Sequence, residues 1–352
     1  MEKFKPIKFP RDESVHNHII EWWYWNGNLK DTKGNKYAFM SCLFRADTKK
    51  VKIPFLKRIP LKIIYFYHSI VSDIKKQKSY PLVELISAVS KDSFQKPLFF
   101  VNHTTPQAII GYVNRVMEET KHFSYDIKDE NLDLKLTAIK KPLLEGGKGY
   151  VDVHAKKSYY YSLTNIKTEG KIRVNNKWIH VSGKSWMDHQ WANTAYTKDK
   201  WTWFSIQLDD NREIVCYEYD DTKVKTYLAS ISNKNGSTEH FKKVQIIPLG
   251  LKWTSKKTKA VYPLSWKIII PEKDIVLSIT PLIKEQEIVF GTINYWEGPT
   301  SIKGNFGKKK VTGQGFMELE GYPSKYSNIN FAEDTIGKVA KEAFRYAKKN
   351  IF

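Results

Sequence analysis

Cysteine is close to absent. Cys42 and Cys216 are the only two in 352 residues, far apart and in different expected strands. No disulfide framework or cysteine-based metal knuckle fits that count, so buried free thiols in a reducing compartment are expected. There is no glycine-rich phosphate loop and no nucleophile-elbow sequence, which removes the common nucleotide and serine-hydrolase classes. His16, His18, His103, His122 and His154 stand at no common metal spacing, so neither a metal nor a cofactor is expected. No apolar run is long enough to span a bilayer, and Met1 to Pro6 lacks the apolar core of a secretory leader. A soluble, cytoplasmic chain is the expectation.

Acidic residues are outnumbered, 37 against 58 Lys and Arg, for a formal net charge of +21. The lysines are scattered rather than gathered in one arm, and no RRM, KH or helix-turn-helix signature occurs, so nucleic acid is not an expected partner. Two stretches, Val51 to Lys62 and Ala332 to Phe352, mix lysine with apolar residues. Each reads as a peripheral contact with an anionic membrane or as a hairpin or helix docked on the core.

Aromatic residues are abundant, at 14% of the chain. Up to residue 330 they fall in short alternating runs punctuated by Asn-Gly, Lys-Gly-Asn and Asp-Asp-Asn turns, the pattern of antiparallel strands. Expected strands include Glu21 to Trp25, Tyr37 to Phe44, Leu132 to Ile139, Trp266 to Ile270, Ile275 to Thr280 and Glu287 to Trp296. Trp201 to Leu208 and Glu213 to Tyr219 read as a hairpin. With no βαβ alternation, the fold class is all-β, as two tandem antiparallel barrels followed by a C-terminal α-helix. A boundary is expected near Lys223 to Asn235, where Ser232 to Gly236 gives a polar, glycine-containing break, with domains at 1–224 and 225–352. Ile336, Val339, Ala340, Ala343, Phe344 and Ala347 lie at helical spacing within Glu333 to Lys349.

The chemistry concentrates in Ser185-Trp186-Met187-Asp188-His189-Gln190-Trp191, followed by Trp201-Thr202-Trp203-Phe204-Ser205. In a regular strand Trp186, Asp188 and Gln190 share one face and Met187, His189 and Trp191 the other, so Asp188 and His189 enter one cavity only if a bulge intervenes. The segment reads either as a general acid in an aromatic pocket or as a buried Asp–His pair fastening the next strand. Trp201, Trp203, Ser205 and Gln207 share a face of cavity-like composition. On the return strand Val215, Tyr217 and Tyr219 face opposite to Cys216, Glu218 and Asp220. Tyr217 or Tyr219 is a candidate donor and Asp220 a candidate second acid, with aromatic packing the alternative. Glu21-Trp22-Trp23-Tyr24-Trp25 reads as a barrel floor in which Glu21 needs a partner such as Arg45. Tyr295-Trp296-Glu297 reads as structural or as one wall of an interdomain site.

These motifs, in order, resemble the carotenoid 1,2-hydratase/AttH-like lipocalin family. The resemblance is carried by Glu21 to Trp25, Leu43-Phe44-Arg45, Tyr160-Tyr161-Ser162, Gly183 to Trp191, Trp203-Phe204, Tyr262 to Trp266, Tyr295 to Gly298 and Gly315 to Tyr322. It implies two lipocalin-like β-barrels and an apolar, often isoprenoid or polyketide-like ligand. It also implies catalytic roles for His189 and Trp191, and for a Tyr and an Asp on a following strand. Tyr217-Glu218-Tyr219-Asp220 supplies those residue types without a clear Tyr-x-Asp spacing.

The expected activity is cofactor-independent addition of water to a C=C bond of a lipophilic, isoprenoid-like substrate, or its isomerisation or cyclisation. Asp188, or Asp220, protonates the alkene, and Trp191 and Trp203 stabilise the cation. His189 with Tyr217 or Tyr219 handles the water. Trp186, Trp201, Trp203, Glu21, Trp23, Tyr295, Trp296 and Glu297 are the expected substrate contacts. The rival is a non-catalytic carrier of apolar ligands.

Overall fold

The structure is a computed structural model describing residues 4–51, 61–89, 100–107, 111–153, 156–194, 199–221, 223–290, 293–327, 329–330 and 333. Among them, twelve strands form one antiparallel sheet and ten a second, with Lys252–Thr254 and Val261–Pro263 as a separate ribbon. The first sheet is built around Ile20–Lys30, which pairs with Lys36–Asp47 on one side and with Lys177–Ala192 on the other. The second is built around Lys200–Leu208, between Glu213–Asp220 and Lys309–Glu320.

The all-β antiparallel architecture in two halves agrees with the sequence. The two closed barrels become two curled sheets. In the second, the path ends at Thr238–Phe241 and Gln245–Pro248 without a pairing between them. In the first, Leu132–Ala138 returns to pair with the outer half of Lys156–Val174, while Lys78–Val89 and Phe100–Gln107 share two paired positions among the described residues. The change of sheet falls between Ala192 and Lys200, so a division after residue 224 does not coincide with it. The Ser232 to Gly236 break is a hairpin turn inside the second sheet, closed by Asn233 N–H to Ser237 O and Gly236 N–H to Asn233 O. The single strand expected over Glu287 to Trp296 is a hairpin, Glu287–Phe290 with Ile293–Phe306. The stretch expected as a C-terminal helix, apart from Glu333, and most of Val51 to Lys62 lie outside the described residues.

Three apolar layers follow from strict alternation. Trp23, Trp25, Leu43, Met187 and Trp191 point into the first sheet. Phe204, Ile206, Trp266, Trp296 and Leu319 point into the second. Their alternate neighbours, Tyr24, Cys42, Trp186, Trp203, Tyr217 and Phe316, form a third cluster where the sheets meet. The contact strands are therefore buried on both faces, which is why they read as almost unbroken aromatic runs.

Gly183 holds one such contact. A Cβ there would lie 2.1 Å from the Asn28 carbonyl oxygen on the paired strand, and backbone cannot yield as a side chain does. Gly183→Ala is expected to destabilise the fold by about 1–3 kcal/mol, read as a lower urea midpoint at unchanged slope.

Candidate active site

Register assembles the site. Ser162, Asp188, Tyr24, Cys42 and His68 are directly opposed across five strands of the first sheet. Facing them, Glu297, Glu318, Trp203 and Tyr217 form one row across four strands of the second sheet, and Tyr295, Glu320, Trp201 and Tyr219 the next. Between the rows lies a cavity of about 160 Å³, bordered also by Trp22, Phe44, Phe66, Tyr160, Gln190 and Phe290. One water needs roughly 10–15 Å³ on the same kind of measure, so the space admits an organic guest.

Asp188 is held from three sides. Ser162 Oγ donates to Oδ1 at 2.6 Å, Trp186 Nε1 to Oδ1 at 2.7 Å, and Tyr160 OH to Oδ2 at 2.7 Å. Trp203 Nε1 in turn donates to Tyr160 OH at 3.0 Å. Burial raises the Asp188 pKa to about 6, the three donors holding it from going higher. With three donors on its two oxygens, the group is placed as an acceptor rather than as the proton donor expected from the sequence.

Behind Asp188 runs a chain of short polar contacts. Glu145 is fully buried, and burial raises its pKa to about 8. Ser162 has one hydrogen and gives it to Asp188, so its oxygen accepts the proton that Glu145 keeps, at 3.3 Å. Glu145 Oε2 meets Ser230 Oγ at 2.7 Å, and Ser230 meets Nδ1 of the partly exposed His240 at 2.9 Å.

The second sheet supplies the protonated groups. Burial, then the nearby Glu318, raises Glu297 well above the carboxylate range, although Tyr24 OH donates to its Oε1 at 2.7 Å. Glu297 Oε2 is buried without a hydrogen-bond partner among the described residues. Glu318 and Glu320 are partly accessible on the cavity side. Burial pushes Glu318 up to about 7 against a hydrogen bond from Trp201, and it pushes Glu320 well above its usual value, with Glu318 adding to the shift. Burial likewise lowers His68 to about 3, so it is neutral, its Nδ1 2.6 Å from Tyr295 OH. No Lys or Arg borders the cavity among the described residues.

A family model of AttH-like proteins matches residues 1–322. The chain belongs to the AttH-like family. It is 25% identical to an AttH crystal structure from Nitrosomonas europaea, with a TM-score of 0.75 over 92% of this chain and 99% of that one. It shares its fold with kievitone hydratase of Nectria haematococca, at a TM-score of 0.67 and 20% identity over 90% and 93% of the two chains. It is also similar to the dehydratase asqC of Emericella nidulans, 27% identical over 164 residues, 44% of this chain. The match spans about half the length of that curated relative, 47%.

Of the residues expected at the site, this AttH-like fold brings Asp188, Trp201, Trp203, Tyr217, Tyr219, Tyr295 and Glu297 to the cavity wall. Trp186 stands behind Asp188 as its donor. Six others lie elsewhere, and alternation is the reason. Pairing is regular on both sides from Met187 to Ala192, the irregularity between Leu163 and Ile166 lying in the neighbouring strand opposite Trp186, so His189 and Trp191 face the interior of the first sheet. Glu21 and Trp23 share that interior: Glu21 Oε1 lies 2.9 Å from His189 Nε2, and the Trp23 ring stacks on His189 at 4.8 Å. Trp296 faces the second sheet's own core, its indole N–H on Lys284 O at 2.7 Å. Asp220 faces away from the cavity, beside Lys225 at 3.9 Å.

The Glu21 partner is not Arg45, whose Nη1 donates to His18 O at 2.8 Å, but the N-terminal segment. His16 Nδ1 lies 2.7 Å from Glu21 Oε1, and its ring stacks on Trp191 at 3.8 Å and 3°. Burial would lower His16, yet Asp12 and Glu21 outweigh it and raise the pKa. Burial lowers His189 to about 4 despite Glu21. His16, Glu21 and His189 thus converge, as do Glu13, Glu119 and His122, although no spacing in the sequence announces either group.

Glu318, Glu320, Tyr160, His68 and Glu145 were missed. The signal for two of them was present: in Phe316-Met317-Glu318-Leu319-Glu320 the acids alternate with core residues and share the face of Phe316.

Proposed function

We propose that this AttH-like protein is a hydratase-type enzyme that adds water to, or removes it from, a C=C bond of a lipophilic, isoprenoid-like substrate in the cavity between the sheets. The observation that carries this reading is the placement of carboxyl groups on opposite walls of one aromatic cavity: Asp188 on the first sheet, fixed as an acceptor by three donors, and Glu318 on the second, its pKa pushed up by burial. Carboxyl pairs whose surroundings separate their pKa values divide naturally into acid and base. The names of two similar proteins, a dehydratase and a hydratase, lend support.

Glu318 gives its proton to one alkene carbon; the π bond breaks, a C–H bond forms and the neighbouring carbon becomes cationic. The ring faces of Trp201 and Trp203 stabilise that charge, each desolvated contact contributing about 2 kcal/mol. Water adds to the cation through oxygen, and its surplus proton passes to Asp188. The product is the alcohol, with Glu318 ionised and Asp188 protonated. Proton exchange along Ser162, Glu145, Ser230 and His240 returns Asp188 to its starting state, and Glu318 regains a proton from solvent. Dehydration runs the same steps backwards.

The test is extraction of lipophilic compounds that co-purify with the protein, followed by incubation of those compounds with it in oxygen-18 water. One heavy oxygen entering the product is the expected result. A compound that stays bound and unlabelled makes the protein a carrier instead.

A further inference from the structure

The cavity is the acidic exception in a basic protein. The chain carries 58 Lys and Arg against 37 Asp and Glu. The described wall nevertheless holds four carboxyl groups, Asp188, Glu297, Glu318 and Glu320, and neither a Lys nor an Arg. Carboxyl groups in low dielectric ordinarily gain a cation or fill every lone pair. Here Asp188 takes three neutral donors and no cation, and Glu297 Oε2 has no hydrogen-bond partner among the described residues. His68, the one basic side chain on the wall among the described residues, is buried with its Nδ1 on Tyr295 OH.

Ring geometry points the same way. Tyr24 meets Trp203 edge-on at 5.5 Å and 87°, and Trp186 meets Trp203 at 6.4 Å and 81°. An edge-to-face pair covers a face of only one of its two rings, so the indole end of the cavity keeps π surface for a guest, while Phe44, Phe66 and Phe290, stacked at 4.7 and 4.4 Å, form its apolar end. In the interior of the first sheet, by comparison, His16 and Tyr159 both stack nearly parallel to Trp191, at 3° and 10°. Aromatic walls with carboxyl groups among them are how proteins recognise quaternary and tertiary ammonium groups.

We propose that the cavity between the two sheets is a binding site for a compact organic cation of the ammonium class, with an aromatic or alicyclic body. The inference goes beyond the reaction proposed above and is read without turnover. A cation supplies the positive charge missing from the wall and favours ionisation of Glu318 and Glu320 beside it, and its apolar body fills the space among Trp22, Phe44 and Phe66. The same wall rejects carboxylates and phosphates, since it offers them the Asp188 carboxylate and no basic donor.

The experiment compares three probes of similar size on the unaltered full-length chain: benzyltrimethylammonium, its uncharged carbon isostere neopentylbenzene, and benzoate. Affinities are read by tryptophan fluorescence and calorimetry. The expected result is cation binding about 30-fold tighter than the isostere, the worth of one desolvated cation–π contact, and no benzoate binding. Glu318→Gln together with Glu320→Gln is expected to weaken the cation about tenfold and leave the isostere within about twofold. An isostere that binds as tightly as the cation overturns the proposal while leaving the hydratase reading standing. Failure of both to bind also overturns it, and removes this cavity as a ligand site altogether.

Discussion

Glu318→Gln is expected to lower turnover by about 10²–10⁴-fold while leaving binding of the neutral substrate nearly unchanged, because it deletes a proton donor and keeps the shape. The substitution is nearly isosteric, and Trp201, its hydrogen-bond donor, meets an amide oxygen as readily as a carboxyl one. The same change is expected to raise thermal stability at about pH 8, since a carboxyl pushed up to about 7 by burial is ionised there at a cost that an amide does not incur. Loss of activity with gain of stability separates a catalytic acid from a structural residue, which would lose both. Asp188→Asn is a poorer probe of the acid, because the amide hydrogens would confront the Tyr160, Ser162 or Trp186 donors and loosen the wall. Unchanged turnover in Glu318→Gln would transfer the acid role to Glu297, the other raised carboxyl opposite it in register.

Much of this architecture is legible in period-two alternation, and the limits of that legibility are equally physical. The division of Trp186, Asp188 and Gln190 from Met187, His189 and Trp191 follows from the unbroken pairing of their strand with Ile20–Lys30, and the cavity face of Trp201 and Trp203 from regular pairing with Lys309–Glu320. Which face meets the other half of the molecule is a question of sheet packing, and alternation says nothing about it. Asp188 and His189 were therefore joined in one mechanism although they lie on opposite sides of one sheet. Glu21 shows a second limit. A buried carboxylate demands a partner, but the partner came from His16, in a segment with no strand pattern of its own. The change of sheet between Ala192 and Lys200 was hidden because Trp201 to Leu208 continues the pattern of the strands before it, while the polar Ser232 to Gly236 turn imitates a linker. Glu145 sits in a short 3-10 turn, where no periodicity marks a residue as buried.

Stability is expected to fall as pH rises from about 5.5 to 8.5, the reverse of acid denaturation. Glu145, Glu318, Glu13, Glu297 and Glu320 all have folded pKa values raised by burial, Glu145 to about 8, Glu318 to about 7 and Glu13 to about 9. A carboxyl of this kind holds its proton when folded and has lost it when unfolded. Its contribution is therefore full below the unfolded pKa and disappears as pH climbs to the folded one. His16, raised by Asp12 and Glu21, has the same sign. His68 and His189, lowered by burial to about 3 and about 4, oppose it, but only below the unfolded histidine pKa. Above that point nothing in this group offsets the acids. One carboxyl kept protonated three pH units past its unfolded titration loses roughly 4 kcal/mol across that range, on the order of 10 °C in melting temperature. The net charge of +21 grows on acidification and works the other way through self-repulsion, so melting is compared at about 0.15 M salt, where exposed charges are screened. Glu145→Gln isolates the effect: it lies off the cavity wall and should flatten the pH dependence without touching ligand binding. A melting temperature that is level or rising toward pH 8.5 would mean that these acids are hydrated or paired, and Glu318 would then have no reason to hold the proton its role requires.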